Sequence, residues 1–206
     1  MDAAAGDLSI DATYKLLTGL IVPRPIAWVT SRSEQGVVNL APFSAFTVLS
    51  TKPPMIGISV TLRAGALKDT ARNIEASGEF VVNIADETLA GPLHLSSAEH
   101  PPETSEPALL GLDLASSTDI AVPRLAAAPA AMECRLERIV GFGELGAQLM
   151  AGRIVRFHVR DDLLKDGKIP TDRLRPLGRI AGPRYVKIGE IIEANPLHEG
   201  SRRSEA

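Results

Sequence analysis

Small polar side chains are concentrated over residues 30–50, where they stand among apolar neighbours. Buried hydroxyl and amide groups need hydrogen-bond partners, which either the backbone or a polar ligand can supply. The backbone is the simpler partner for any single residue. The density of the group nevertheless favours an uncharged ligand edge that carries carbonyl and N–H groups. The candidates are Thr30, Ser31, Asn39, Ser44, Thr47 and Ser50.

A second candidate site is the segment Lys68-Asp69-Thr70-Ala71-Arg72-Asn73, which opens a predicted helix. The start of a helix offers free backbone N–H groups and the positive end of the helix dipole. With Lys68, the Thr70 hydroxyl and the upstream Arg63, these groups would bind a phosphate. The residues alone also fit a capped surface helix with solvated basic side chains. Asn73 would either join the site or hold the loop.

Other familiar chemistry has no support in the sequence. No pair of histidines has metal-ligand spacing, so no metal site is predicted. There is no Gly-x-Ser-x-Gly elbow and no Gly-x-Gly-x-x-Gly fingerprint, which argues against a serine hydrolase and a Rossmann domain. No residue has to act as a general base, and the catalytic residue stays unknown.

Composition limits the class of protein. The 206 residues are 45% hydrophobic and 23% charged, with a net charge of −3, so no basic field attracts nucleic acid or an anionic membrane. The apolar runs are too short to span a bilayer, and the N-terminus lacks a basic signal region. Cys134 is the single cysteine, which excludes an intrachain disulfide. We expect a cytoplasmic protein with one domain over residues 1–200 and a disordered tail over 201–206.

The sequence predicts many strands and few long helices. This pattern predicts a mainly β protein, a closed barrel with peripheral helices. Strands are predicted over residues 25–32, 37–41, 43–49, 55–60, 79–84, 133–144, 149–160 and 184–188. Helices are predicted over residues 12–17, with Asp11 as the N-cap, and over residues 68–76.

Five blocks in this order resemble the flavin reductase-like family, over roughly residues 14–190. They are Arg24-Pro25-Ile26-Ala27-Trp28-Val29, Asn39-Leu40-Ala41-Pro42-Phe43-Ser44, Ser50-x-x-Pro53-Pro54, Lys68-Asp69-Thr70-x-Arg72-Asn73-Ile74 and Gly78-Glu79-Phe80-Val81-Val82-Asn83. The resemblance implies a six-stranded antiparallel FMN-binding split β-barrel with peripheral helices.

The resemblance also implies a site and an activity. The hydroxyl-rich segment would line the ring and ribityl chain of FMN, Lys68 and Thr70 would contact its phosphate, and Tyr185 would close one face of the ring or the dimer seam. Tyr185 fits equally well as a tyrosine at the edge of the core. The full implied binding set is Thr30, Ser31, Asn39, Ser44, Thr47, Val48, Leu49, Ser50, Lys68, Thr70, Asn73 and Tyr185.

The implied activity is that of a flavin reductase. Hydride would pass from NADH or NADPH, docking transiently, to the flavin and then to an acceptor. The flavin would be FMN, with FAD as the alternative, and the chain would form a homodimer; any partner oxygenase is unidentified. A non-catalytic FMN-binding or electron-carrier protein is the main alternative. An oxidase of pyridoxamine phosphate type uses a related barrel, but the additional basic residues that it needs are not apparent.

Overall fold

The centre of the molecule is a seven-stranded antiparallel sheet in the order β3-β2-β6-β9-β10-β5-β4. The computed structural model describes residues 2–63 and 65–194. The strands are β1 (Arg24–Pro25), β2 (Ala27–Arg32), β3 (Val38–Phe43), β4 (Phe46–Thr51), β5 (Pro54–Val60), β6 (Glu79–Ile84), β7 (Leu114–Ala115), β8 (Arg124–Leu125), β9 (Ala130–Phe142), β10 (Ala147–Val159), β11 (Gly178–Arg179) and β12 (Tyr185–Val186).

Short helices surround this sheet. They are α1 (Ile10–Leu20), α2 (Asp69–Ser77), α3 (Ala90–Leu95), α4 (Glu106–Leu109) and α5 (Thr171–Leu174), with 3-10 turns at Ala5–Asp7, Glu87–Leu89 and Asp161–Leu163. The mainly β class and the barrel with peripheral helices are therefore confirmed. The sheet has seven strands, one more than the six-stranded barrel that the resemblance implies, and β4 pairs with β5 as one of its edge strands.

The interior of the barrel is one continuous apolar cluster. Successive residues of a strand point to opposite faces, so alternate positions of β2 and β6 enter the cluster. Its members include Ala27, Val29, Phe43, Ile56, Ile58, Phe80, Val82, Cys134, Met150 and Ile154, and Ala71 and Ile74 of α2 also belong to it. The β4–β5 pairing extends one position beyond β4, where Ser59 N–H donates to the Ala45 carbonyl at 2.8 Å.

A glycine makes room for the largest ring of this interior. A Cβ built on Gly152 would lie 2.3 Å from the Phe80 Cζ atom. Phe80 is completely buried, so its ring has no free space to move into. The sheet register between β9 and β10 is also irregular at this position, which locally bends the strands. Gly152 is therefore required for the packing of the barrel.

The opposite face of β2 packs against an outer layer. Trp28 Nε1–H donates to Ser96 Oγ at 2.9 Å, next to α3. The Thr30 hydroxyl donates to the Pro123 carbonyl at 2.7 Å, in the connection that leads to β8. Both side chains are fully buried. They attach the segment before β8 and the end of α3 to the outside of the barrel.

A buried carboxylate anchors another part of this outer layer. Glu133 accepts hydrogen bonds from Thr118 N–H and Asp119 N–H, both at 2.7 Å, and its Oε1 lies 2.5 Å from His158 Nε2. Burial alone would raise the pKa of Glu133, but these bonds outweigh it and the pKa is lowered. The histidine of β10 is thus paired within the structure.

The outer edge of β3 is covered rather than left open. Leu40 N–H donates to Glu106 Oε2 at 2.9 Å, and the Ser105 hydroxyl donates to the Val38 carbonyl at 2.8 Å. Backbone groups along this edge thereby find partners in the segment that enters α4. Glu106 is 6% exposed.

The first helix is longer than its sequence predicts. Ser9, not Asp11, is the N-cap and accepts from Ala12 N–H at 3.2 Å. The helix also passes through Gly19 and ends at Leu20. None of its residues is buried. Among the described residues, no helix has the length and hydropathy needed to cross a lipid bilayer.

Candidate functional site

A cavity of about 630 Å³ opens at one end of the barrel. Its size is in the range of small-molecule and cofactor sites. Its walls come from α1, β3, the connection 61–68, the N-terminus of α2, the loop 96–105 and the segment 179–185. Elements from distant parts of the sequence therefore meet around one space.

The start of α2 forms one end of this cavity. Lys68 is the N-cap residue, and its side chain does not cap the helix. The backbone N–H groups of the first turn have no partners within the helix. Gly78, with φ of +70°, ends the helix in the left-handed conformation that glycine adopts without strain. The helix is thus fixed at its C-terminus and has donors at its N-terminus.

Two cations lie close together at this end. Burial lowers the pKa of Lys68, and the nearby Arg63 lowers it further, while Glu99 opposes the shift. Arg63 Nε and Glu99 Oε1 are 2.9 Å apart. An anion bound here would reverse the unfavourable effect on Lys68, because an opposite charge favours the charged form. The arrangement is suited to bind a phosphate.

A buried amide fixes the direction in which the Thr70 hydroxyl can donate. Asn39 Nδ2 donates to Thr70 Oγ1 at 2.8 Å. The Thr70 oxygen is the acceptor in this bond, so its own proton is left for another partner. Among the described residues this hydroxyl donates to no acceptor, and Thr70 lines the cavity. It is therefore available as a donor to a ligand.

Two further residues of the predicted binding set hold the Asn39 amide in place without lining the cavity. Ser31 Oγ accepts from Asn73 Nδ2 at 3.2 Å and from Asn39 Nδ2 at 3.4 Å. Ser31 is fully buried, and Asn73 is 5% exposed. Neither lines the cavity. Their contacts hold Asn39 in place and link β2 and β3 to α2.

The other end of the cavity is built around two arginines. Arg24 Nε donates to Ser44 Oγ at 3.3 Å, and Arg24 NH1 donates to the Thr18 and Ile21 carbonyls, both at 2.8 Å. Arg179 NH1 donates to Tyr185 Oη at 2.8 Å. The short strands β1 and β11 bring these two arginines to one wall.

The structure brings five of the twelve predicted binding residues to the cavity. Their roles toward a ligand stay predictions, as do those of the remaining seven. The five that line the cavity are Asn39, Ser44, Lys68, Thr70 and Tyr185.

The seven others lie in three places. Ser31 and Asn73 stand behind the cavity wall, and Thr30 faces the outer layer on the opposite side of β2. Thr47, Val48, Leu49 and Ser50 lie on the edge strand β4, away from the cavity lining, and Val48 is 69% exposed. β4 is an edge strand that pairs on one side with β5, which explains this exposure.

Sequence reasoning missed several residues of the cavity wall. Arg24 was part of a motif but was given no role at the site, and nothing marked Tyr14, His100 or Glu106. The apolar spacing of Tyr14, Leu17 and Ile21 on one face of α1 was the available signal. The loop before α4 offered none, because its composition indicates only a surface connection.

Glu106 is a buried acid whose carboxyl has a raised pKa. Desolvation raises the pKa of its carboxyl, although the Leu40 N–H bond acts in the opposite direction. Glu106 also borders the cavity, where it, Asp69 and Glu99 are the acidic lining residues. All three lie on the side of α2 and the loop 96–105.

A barrel of antiparallel strands with a phosphate-suited cavity at its end defines a split-barrel ligand-binding protein. The family model for the flavin reductase like domain matches residues 19–177. The chain belongs to the flavin reductase-like family, as the ordered motifs predict.

Relatives of known and unknown role share nearly the whole chain. An uncharacterised protein of Halalkalibacterium halodurans is 46% identical over 190 residues, which are 90% of this chain and 91% of that protein. Nitrilotriacetate monooxygenase component B from Bacillus cereus has a TM-score of 0.91 and 41% identity, covering 94% of this chain and 98% of that one. The 2-nitrobenzoate 2-nitroreductase of Pseudomonas fluorescens has a TM-score of 0.88 and 34% identity, covering 97% and 98%.

Proposed function

We propose that this protein is an FMN-dependent oxidoreductase of the flavin reductase type. The observation that carries the proposal is the phosphate-suited end of the cavity, where Lys68, Arg63, the Thr70 hydroxyl and the start of α2 converge. The family membership is consistent with a flavin as the ligand.

The residues present fit the parts of FMN. Cations, a free hydroxyl donor and helix N–H groups suit the terminal phosphate. Between this end and the two arginines of the opposite end, the lining includes the uncharged side chains of Phe43, Ile26 and Ser44. Such a mixed surface suits a flat ring that has an apolar body and a polar edge. FAD would need further space for its adenylate part, so FMN is the simpler ligand.

FMN, when bound, supplies the hydride-accepting and hydride-donating chemistry. The role of the chain is to bind and orient it, and to bring a second ligand to its exposed side. The part of the wall formed by α1 is exposed, and the sequence has no dinucleotide fingerprint. We therefore assign NADH or NADPH the role of a transient electron donor.

The names of two similar proteins suggest what kind of molecule accepts the electrons. The similar Bacillus cereus protein is named component B of a monooxygenase, and the similar Pseudomonas fluorescens protein is named a nitroreductase. By analogy, electrons from this protein go to a partner oxygenase or to a small organic acceptor.

A second copy of the chain is the proposed structural partner. Apolar side chains are exposed on α1 and β4, where Leu20 is 78% and Val48 69% exposed. A homodimer, as the resemblance implies, would cover such exposed apolar surfaces. A stable dimer needs a buried area of about 1,200 Å² or more in total. Sedimentation velocity over a range of concentrations measures the oligomeric state, and a monomer at all concentrations would contradict this part of the proposal.

Anaerobic spectroscopy tests the activity. We expect the purified protein, loaded with FMN, to lose its visible flavin absorbance when NADH or NADPH is added, and to regain it with air. Bound FMN that neither nucleotide reduces would favour the electron-carrier alternative. A protein that binds no FMN at all would overturn the proposed function.

A further inference from the structure

Two arginines of the cavity wall are direct cross-strand neighbours. In the antiparallel pair of β1 and β11, Arg24 lies opposite Arg179. Residues in this position project to the same face, and like charges placed there repel each other. Both arginines are partly shielded from water and both line the cavity. The fold thus holds two positive charges together beside a ligand space.

No carboxylate in the part of the chain that the structure describes balances this pair. Among the described residues, neither guanidinium has a carboxylate oxygen within 4.0 Å, although seven other arginines do. The acidic residues of the cavity lie on α2, α4 and the loop 96–105, on the side of the phosphate-suited end. The arginine end is therefore a region of uncompensated positive charge.

Arg24 has a structural partner for most of its donors. Its NH1 bonds reach the Thr18 and Ile21 carbonyls, at the C-terminal end of α1, which is the negative end of the helix dipole. Its Nε bond reaches Ser44 Oγ. Arg24 therefore attaches α1 to the barrel, and its remaining contribution at the cavity is charge.

Arg179 keeps donors for a ligand. Its Nε donates to the Gly182 carbonyl at 2.9 Å and one Nη1 proton goes to Tyr185 Oη at 2.8 Å. A guanidinium has five N–H donors, so three have no acceptor among the described residues. The guanidinium carbon also lies 4.8 Å from the centroid of the Tyr185 ring, which fixes its orientation. Arg179 is thus held in place with spare donors beside the cavity.

We propose that Arg179, supported by the charge of Arg24, is the binding site for an anionic oxygen group of the second substrate, either a carboxylate or a phosphate. The inference rests on the proposed function, because it assigns the phosphate of FMN to the Lys68 end. FMN has a single phosphate, so the arginine end takes the anion of another ligand in the same cavity. Arginine pairs well with both groups through parallel N–H bonds.

Two pairs of probes test the proposal and separate the two sources of the anion. Isothermal titration calorimetry on the FMN-loaded protein compares benzoate with neutral benzamide, and nicotinamide mononucleotide with nicotinamide riboside, which lacks the phosphate. We expect the anionic member of at least one pair to bind about tenfold more tightly, which corresponds to about 1.4 kcal/mol. The first pair reports an acceptor carboxylate, and the second reports a phosphate of the nicotinamide donor.

Three variants locate the effect. Arg179→Gln should remove the preference for the anion, Arg179→Lys should retain part of it, and Arg184→Gln should leave it unchanged. Arg184 is an exposed arginine of the same segment that does not line the cavity, which makes it the matched control. The FMN spectrum of each variant, recorded before titration, shows that it is folded and loaded.

The outcomes of this experiment separate the two proposals. A wild-type protein that binds FMN but shows no preference in either pair would overturn the anion site alone, as would a preference that survives in Arg179→Gln. A protein that binds no FMN would overturn the proposed function, and the same titrations on the flavin-free protein would still test Arg179.

Discussion

The two walls of the cavity differ in how firmly they are built. The wall formed by β3 and α2 is continuous with the barrel interior, and Thr70, Ala71 and Ile74 of its helix are almost completely buried. The wall formed by α1 has no buried residue. A buried wall holds its donors in fixed positions, whereas an exposed wall can be completed by a ligand or a second subunit. Under the proposed function, the first wall suits the cofactor and the second suits exchangeable partners.

The largest contrast should be in stability. Replacing Phe80, at the centre of the barrel, with alanine should lower the free energy of unfolding by about 3–5 kcal/mol, because a cavity is left in a packed core. Leu20→Ala on α1 is the matched control, and its effect should be within about 0.5 kcal/mol, since Leu20 is 78% exposed. Urea denaturation at equilibrium measures both. Equal losses would show that α1 is as strongly packed as the barrel.

The phosphate end should contribute the next largest effect. Lys68→Ala combined with Thr70→Ala should weaken FMN binding by about 1–3 kcal/mol, because charge-assisted hydrogen bonds are lost. Binding of riboflavin, which has no phosphate, should change little. Fluorescence quenching of the added flavin measures both affinities. Arg72→Ala is the control on the same helix, because Arg72 pairs with Asp69 and does not line the cavity. Unchanged FMN affinity in the double variant would remove the phosphate assignment.

A smaller effect should follow from reversing one hydrogen bond. Asn39→Asp replaces an amide donor with a carboxylate that can only accept, so the Thr70 proton would be drawn away from the cavity. We expect FMN to bind up to about tenfold more weakly, since one such bond contributes about 0.5–1.5 kcal/mol. Riboflavin affinity is again the reference. If FMN and riboflavin weaken equally in this variant, Asn39 supports the wall in general and does not orient Thr70.

The effect that should be smallest at neutral pH is the loss of the Lys68 charge, and with it of FMN affinity, as pH rises. Burial and Arg63 lower the pKa of Lys68 from 10.5, so the cation is lost at a lower pH than in an ordinary lysine. A bound phosphate raises the pKa again, and FMN affinity should therefore be constant below the pKa of the free protein and fall as pH rises through it. Lys68→Arg should abolish the decline, because arginine stays charged. A pH series of FMN dissociation constants, with riboflavin alongside, measures this.

Local signals in the sequence were sufficient for most of the barrel. The strand predicted over residues 79–84 is β6, and the helix predicted over 68–76 differs from α2 by one residue at each end. Gly78 marks the end of that helix in the sequence prediction and in the structure. The first helix was predicted too short because two signals competed. Ser9 lies two positions before Asp11 and supplies the cap. The helix also continues past Gly19 to Leu20, and the Ile21 N–H still donates to the Leu17 carbonyl.

The site was harder to predict, because it is assembled from segments far apart in the chain. Lys68 and Thr70 lie in one short segment that could be singled out locally, and both line the cavity, while their contact with a phosphate stays a prediction. The opposition of Arg24 and Arg179 depends on the register of two short strands more than 150 residues apart, which no local pattern specifies. The hydroxyl groups of β4 belong to the same dense group in the sequence but do not line the cavity, and their contact with a ligand stays a prediction.

The cover on the outer edge of β3 has a consequence for association. A sheet has two edges, and an uncovered one can pair with a strand of another molecule. Ser105 and Glu106 occupy the backbone groups of Val38 and Leu40, so β3 is closed to such pairing. Strand-to-strand extension of the seven-stranded sheet is therefore confined to β4, the edge where the proposed homodimer would also cover exposed apolar side chains.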